Sequence, residues 1–332
     1  LAERDLGGIA PADHRLHDRA SAEGSRPWRG SRRLGPGVCM RSALLRRRPL
    51  VARRATYRVA ALCLFAATVL FAVTPLTAPE AAAVQGANEA RSAVAILVYH
   101  RFSDSVDDSM TVRIATFEAH LNFLREHGYA IVPLRAVVRW LREPAATLPA
   151  KAVALTVDDG HKSVYQGLLP IVQRDRLPVT LFIYPSAISN ASYALTWKQL
   201  REMQATGLFD VQSHTWWHPN FQVERRRQSP AEFERFATTQ MEHSRELIES
   251  RLGGQVDMLA WPFGLYDEDL ARIASGLGYV AAFTLNGRRV VRSDSLLALP
   301  RFLMVDAVTP RILGRLLGEP EIPSVSAAKA RR

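Results

Sequence analysis

Cysteine is nearly absent from this 332-residue chain: there are two, Cys39 and Cys63, and residues 84–332 contain none. A disulfide framework is therefore excluded for that stretch. The apolar run from Val59 to Val73 stops at 15 residues, short of the ~20 that comfortably span a bilayer. Basic charge is scarce where it would matter for nucleic acid. The net charge is +11, but residues 1–58 hold 14 arginines against 5 acidic residues, and residues 84–332 carry 29 basic against 26 acidic groups. The basicity belongs to the N-terminus, and no nucleic-acid partner is expected. Repeats of solenoid type and long linkers are also missing, so one main domain is the economical reading. Histidine does not occur after His243.

What is present begins with an ordered leader. "MRSALLRRRPLVARRATYR" runs into "VAALCLFAATVLFAV" and then into "TPLTAPEAAAVQG". Basic, then apolar, then small residues ending near Ala81 to Ala83 is the order of an export signal. Met40 stands where such a signal would start. The expected organisation is a non-translated or disordered leader at 1–39, a signal peptide or N-terminal anchor at 40–83, a main domain at 84–318 and a disordered tail at 319–332. If the signal is kept, residues 59–73 would associate with a membrane. The location expected is the periplasm, the envelope or the outside of the cell.

From residue 92 onward, short runs rich in Val, Ile, Leu and Ala alternate with amphipathic stretches, the pattern of βα units around a parallel sheet. Strands are predicted in "AVAILVYH", "YAIVPL", "AVALTVDDG", "VTLFIYP", "FDVQSH", "DMLAWPFG", "YVAAFTLN" and "LALPRFLM". Helices are predicted in "TFEAHLNFLREHG", in "TWKQLREMQATG" behind a capping Thr196, over Pro230 to Leu252 and over Asp267 to Leu277. Strand after strand is apolar until its carboxyl end and there delivers polar or aromatic groups: His100, Asp158-Asp159-Gly160, Ser213-His214, Trp261-Pro262-Phe263-Gly264 and Arg301. In a barrel of parallel strands those ends open on one face.

Two adjacent carboxylates, Asp158 and Asp159, precede a glycine that permits a sharp turn. Asp-Gly is also a common solvated turn. On an extended strand the two would point to opposite sides, one toward a cation and one toward another part of the pocket. His214 and His218 lie four apart around two tryptophans, a spacing equally open to ordinary half-buried histidines. With one carboxylate, two neutral imidazoles make a three-ligand site for Zn²⁺ or a similar ion, Co²⁺ and Ni²⁺ included, with a position left open for water. The second aspartate is then available as a base.

"TVDDG", "SHTWWHP" and "WPFG", in this order, resemble the first three motifs of the polysaccharide deacetylases of carbohydrate esterase family four, the chitooligosaccharide-deacetylase homology domain. The likeness runs from about Ala93 to about Asp306, and "LVYHRF" with the tryptophan before Pro262 is similar to exported poly-N-acetylglucosamine deacetylases. The resemblance implies a distorted (β/α)7 barrel. It implies Asp158 as general base and Asp159, His214 and His218 as metal ligands. It also implies water attack on the acetamide of an N-acetylhexosamine, with a backbone N–H at Phe263, in the turn with Gly264, receiving the oxyanion.

Two departures stand out. Where the family's third motif carries an arginine that pairs with the base, this chain has Ala260; Arg301 is the expected substitute, able to keep Asp158 ionised. The family's late Leu-x-x-His motif, the source of the acid, is missing. His100 is the nearest replacement, with His161 behind it. Trp216 and Trp217 offer surfaces for sugar rings, although tryptophans at such junctions commonly serve packing. The expected function is metal-dependent deacetylation of an N-acetylglucosamine polymer. The alternatives are peptidoglycan or another amide as substrate, or a carbohydrate-binding relative without catalysis. Oligomeric state is not legible.

Overall fold

Residues 93–320 are described by the computed structural model; the expected leader, signal or anchor and the tail beyond 320 lie outside the described residues. The strands are β1 (Ala95–Tyr99), β2 (Arg101–Ser103), β3 (Thr111–Arg113), β4 (Ala130–Ile131), β5 (Ala152–Asp159), β6 (Val179–Ile183), β7 (Phe209–Ser213), β8 (Met258–Ala260), β9 (Ala281–Phe283) and β10 (Phe302–Leu303). The helices are α1 (Ile114–Glu126), α2 (Leu134–Arg142), α3 (Leu169–Asp175), α4 (Trp197–Ala205), α5 (Phe221–Arg227), α6 (Pro230–Leu252), α7 (Glu268–Gly276) and α8 (Pro310–Leu317). No helix among the described residues is long and apolar enough to cross a membrane.

Strands β10-β1-β5-β6-β7-β8-β9 follow one another in a single sheet, with β4 on the first residues of β5. All of these pairings are parallel. The path curls back on itself through the segment before β10. Leu299 forms a parallel bridge with Phe283 of β9, and three residues later Phe302 pairs with Leu97 of β1. Seven strands thus make the distorted (β/α)7 barrel.

Strand periodicity sorts the side chains into two layers. Leu97, Tyr99, Val153, Leu155, Val157, Leu181 and Ile183 pack outward under the helices. Their neighbours Ile96, Ala154, Phe182, Met258, Ala260, Phe283 and Leu299 form a separate interior cluster, plugged by Val137 and Trp140 of α2. The phase of that alternation matters for the site. Thr156 and Asp158 fall on the interior face with Ala154, and His214 falls in phase with Gln212.

Helix ends follow their sequence signals. Thr196 and Gln199 form a capping box on α4, and Ser229 and Glu232 do so on α6. Asp267 caps α7 and Thr309 caps α8. After α8, Glu319 accepts hydrogen bonds from Tyr129 (2.7 Å) and Lys151 (2.6 Å).

Candidate active site

Asp158, next to last in β5, is a buried carboxylate. Arg301, buried as completely, donates from Nη1 to its Oδ1 at 2.8 Å and from Nη2 to its Oδ2 at 2.6 Å. The same guanidinium donates to the Thr284 carbonyl at 3.1 Å and to Thr156 Oγ1 at 3.2 Å, and it lies over the faces of Phe182 and Phe283. Arg301 does not sit at a strand's carboxyl end, as its sequence context suggested. It sits within the Leu299–Leu303 crossing from β9 to β1, and its long side chain reaches up the interior to the aspartate. Burial by itself would raise the Asp158 pKa; Arg301 and His214 outweigh it and hold the carboxyl at about 2.

Asp159 departs from the opposite-sides expectation. Its φ is +73°, and Gly160 N–H donates back to the Asp158 carbonyl at 3.0 Å, a tight turn of the rare positive-φ form. The chain therefore stops alternating, and both carboxylates turn toward one imidazole. His214 Nε2 is 3.9 Å from Asp158 Oδ2 and 3.6 Å from Asp159 Oδ1. His218 Nε2 is 3.9 Å from the same Asp159 oxygen, and the two imidazole centroids are 4.6 Å apart.

His214 Nδ1 is 2.8 Å from the Ala260 carbonyl, which can only accept; the proton is on Nδ1 and the Nε2 lone pair faces the carboxylates. Burial lowers the pKa of both histidines, that of His218 to about 4 with the His214 charge adding to the effect. Both are neutral near pH 7. One donor atom each from Asp159, His214 and His218 lies within 4.8 Å of the others. An anionic oxygen and two neutral imidazole lone pairs at that separation fit a divalent cation.

Backbone strain concentrates here. Asp159, Thr215, His218 and Phe263 all have φ between +58° and +73°, each costing on the order of 1–3 kcal/mol. The Phe263 turn is held by Gly264 N–H on the Trp261 carbonyl and Leu265 N–H on the Pro262 carbonyl. Gly264 is required there: its φ is +70°, and a Cβ would meet Leu285 N at 2.7 Å. The Phe263 ring is 52% exposed and packs edge-on to His218 at 4.5 Å.

His100 is buried and its Nδ1 has no hydrogen-bond partner. His161 is tied to Ser163 Oγ at 2.8 Å. The tryptophans diverge: Trp216 stacks on His243 of α6 at 4.0 Å, while Trp217 is 41% exposed and meets Phe236. Sequence reasoning missed Tyr184, whose ring centroid is 5.5 Å from that of His218. Burial, then the Asp159 charge, raises its pKa. Its only signal was a tyrosine directly after β6, on the face where the other strand ends converge.

The strand tips of a parallel barrel thus bring together two carboxylates and two neutral imidazoles, a set suited to holding a divalent ion beside a base. Residues 145–282 match the family model described as polysaccharide deacetylase. The chain is 27% identical over 224 residues to the YxkH protein of Bacillus subtilis (strain 168), which carries a polysaccharide deacetylase description; the match covers 67% of this chain and 74% of that one. It is 20% identical to the poly-beta-1,6-N-acetyl-D-glucosamine N-deacetylase of Staphylococcus aureus (strain MRSA252), over 66% of this chain and 76% of the other. The solved structure of the Streptococcus pyogenes deacetylase PplD in complex with acetate superposes with a TM-score of 0.60 at 26% identity, covering 69% of this chain and 99% of that one. The chain thus resembles the polysaccharide deacetylase family over residues 145–282, and the relatives it matches are named as deacetylases, which are hydrolases.

Proposed function

We propose that the protein removes the N-acetyl group from N-acetylglucosamine residues of an exported or cell-envelope polysaccharide of the poly-N-acetylglucosamine type, releasing acetate. The observation that carries this reading is the convergence of Asp158, Asp159, His214 and His218 from two strand ends. The Staphylococcus aureus relative is named for that substrate class. The basic-apolar-small order of residues 40–83 supports export, and the proposed catalytic domain is 84–318.

Asp159, His214 and His218 would hold the cation, and Zn²⁺ suits one carboxylate with two imidazoles. Bound there, the ion would lower the pKa of a water and polarise the acetamide carbonyl. Asp158, ionised because Arg301 grips both its oxygens, accepts the proton of the attacking water. The Phe263 N–H meets the charge that develops on the carbonyl oxygen. His100 supplies the proton to the leaving amine: it is buried, and its Nδ1 is free of intramolecular bonds. Phe263 and Gly264 shape the acetyl pocket, and Trp217 and Trp216 stand beside the polymer's path.

The test is acetate release from N-acetylglucosamine oligomers by the folded protein, before and after chelation and with divalent ions restored. Release that stops on chelation, returns with metal and is lost in Asp158→Asn supports the reading. No release with any ion favours a carbohydrate-binding relative. Release only from peptidoglycan fragments moves the substrate.

A further inference from the structure

The large apolar side chains that stay exposed among the described residues are Val106, Tyr193, Trp217, Phe263 and Tyr266. Every one lies on a loop that follows the carboxyl end of a strand: between β2 and β3, between β6 and α4, between β7 and α5, and between β8 and α7. The rest of the surface of the described residues offers no such side chain, so among them this face carries the unfilled apolar capacity.

Within that face one set of rings is continuous. Phe263 packs on His218 at 4.5 Å, and His218 packs on Tyr184 at 5.5 Å. The Tyr184 hydroxyl is 3.0 Å from the Tyr193 hydroxyl, and the Tyr193 ring lies nearly parallel to His161, at 9° and 6.3 Å. Tyr193 is fixed from its backbone as well. Its carbonyl accepts from Lys162 N–H at 2.8 Å, and Ala194 bridges to His161. A ring that is 41% exposed but held by a stacked imidazole, a phenol and its own main chain is a preorganised surface, since binding would cost it little further ordering.

We infer that Tyr193 forms a subsite for the sugar residue next to the one being deacetylated, so that the site reads a chain of at least two residues and not a single sugar. This rests on the deacetylase reading above. Tyr193 is one aromatic side chain removed from His218, so a sugar held at Tyr193 would adjoin the one at the proposed metal ligands. The chemistry suits a pyranose: its apolar C–H face matches the flat ring, and its hydroxyls find the phenol oxygens interleaved with the rings. Tyrosine and tryptophan also settle at lipid interfaces, and a vesicle arm in the test separates that occupant from a sugar.

The experiment compares wild type, Tyr193→Ala and Tyr193→Phe on N-acetylglucosamine oligomers of one to six residues and on a small aryl acetate. Tyr193→Ala is expected to raise KM for the longer oligomers about tenfold, equivalent to about 1.4 kcal/mol. It should leave the single sugar and the aryl acetate unchanged, which also shows the variant is folded. Tyr193→Phe keeps the stacking face and should stay within about twofold of wild type. Equal KM changes at every chain length, or none at any, would overturn the subsite while leaving the deacetylase reading intact. So would a Tyr193→Ala variant that keeps oligomer kinetics but loses binding to phosphatidylglycerol vesicles. Wild type inactive on every acetylated probe would remove both.

Discussion

Replacing Arg301 with methionine removes the guanidinium while keeping an unbranched apolar stem between Phe182 and Phe283. Arg301 and Asp158 are both buried and joined by two short hydrogen bonds. Leaving one member of such a pair without its partner costs about 3–5 kcal/mol, a fall on the order of 10 °C in Tm for a domain of this size. The pH dependence carries more information than the drop. Holding Asp158 at about 2 instead of its ordinary 3.8 is worth about 2 kcal/mol. Because the folded pKa is depressed, that stability is present above the ordinary value and is lost as pH falls through about 2. In Arg301→Met burial is left with less opposition, so the Asp158 pKa rises. The variant is then least stable, relative to wild type, near neutrality, and the gap narrows as acid protonates the carboxyl. Thermal unfolding between pH 4 and 8, with kcat/KM on an N-acetylglucosamine oligomer, reads both effects: the acid limb of the rate profile moves upward. Arg301→Met with Asp158→Asn removes both charges and should recover much of the lost stability. An unchanged pH-rate profile, or a double variant no more stable than Arg301→Met, would refute the reasoning.

Four further outcomes follow from particular contacts. His100→Ala should lower kcat about 10²-fold on the acetamide with KM little changed and much less on an aryl acetate, whose leaving group needs no proton; equal losses on both substrates would assign the proton elsewhere. Gly264→Ala forces a Cβ within 2.7 Å of Leu285 N at a φ of +70° and should destabilise by about 1–3 kcal/mol while displacing the Phe263 N–H, seen as lower kcat. Phe263→Ala, which leaves the main chain in place, should keep kcat within about threefold, since main-chain donors carry the oxyanion. Asp306 is held at about 2, chiefly by its hydrogen bond from Arg113, so its contribution to stability is present above the ordinary carboxylate value and lost as pH falls through about 2. The urea midpoint of wild type should drop toward acid more steeply than that of Asp306→Asn.

The strands and the long helices were legible because burial leaves a period. Pro230 to Leu252 emerges with the bounds expected of it. That Asp158, Asp159, His214 and His218 lie close together was legible because strand ends of a parallel barrel share a face. Other features had no local signature. The turn at Asp159 that swings both carboxylates to one imidazole depends on a positive φ that Asp-Asp-Gly permits but does not compel. The ladder hand-over from Leu299 to Phe302, which carries Arg301 inside the barrel, is set by how the sheet curls. The rings of Tyr184 and Tyr193 meet through a loop, where neither period 2 nor period 3.6 applies.

The most direct test of the account is the divalent-ion content of the purified protein, measured by elemental analysis beside acetate release from N-acetylglucosamine oligomers. The prediction is one tightly held ion per chain with activity in wild type, and neither ion nor activity in Asp159→Asn or His218→Ala with the fold retained. Full acetate release by ion-free protein, or an ion held equally well by both variants, would contradict it.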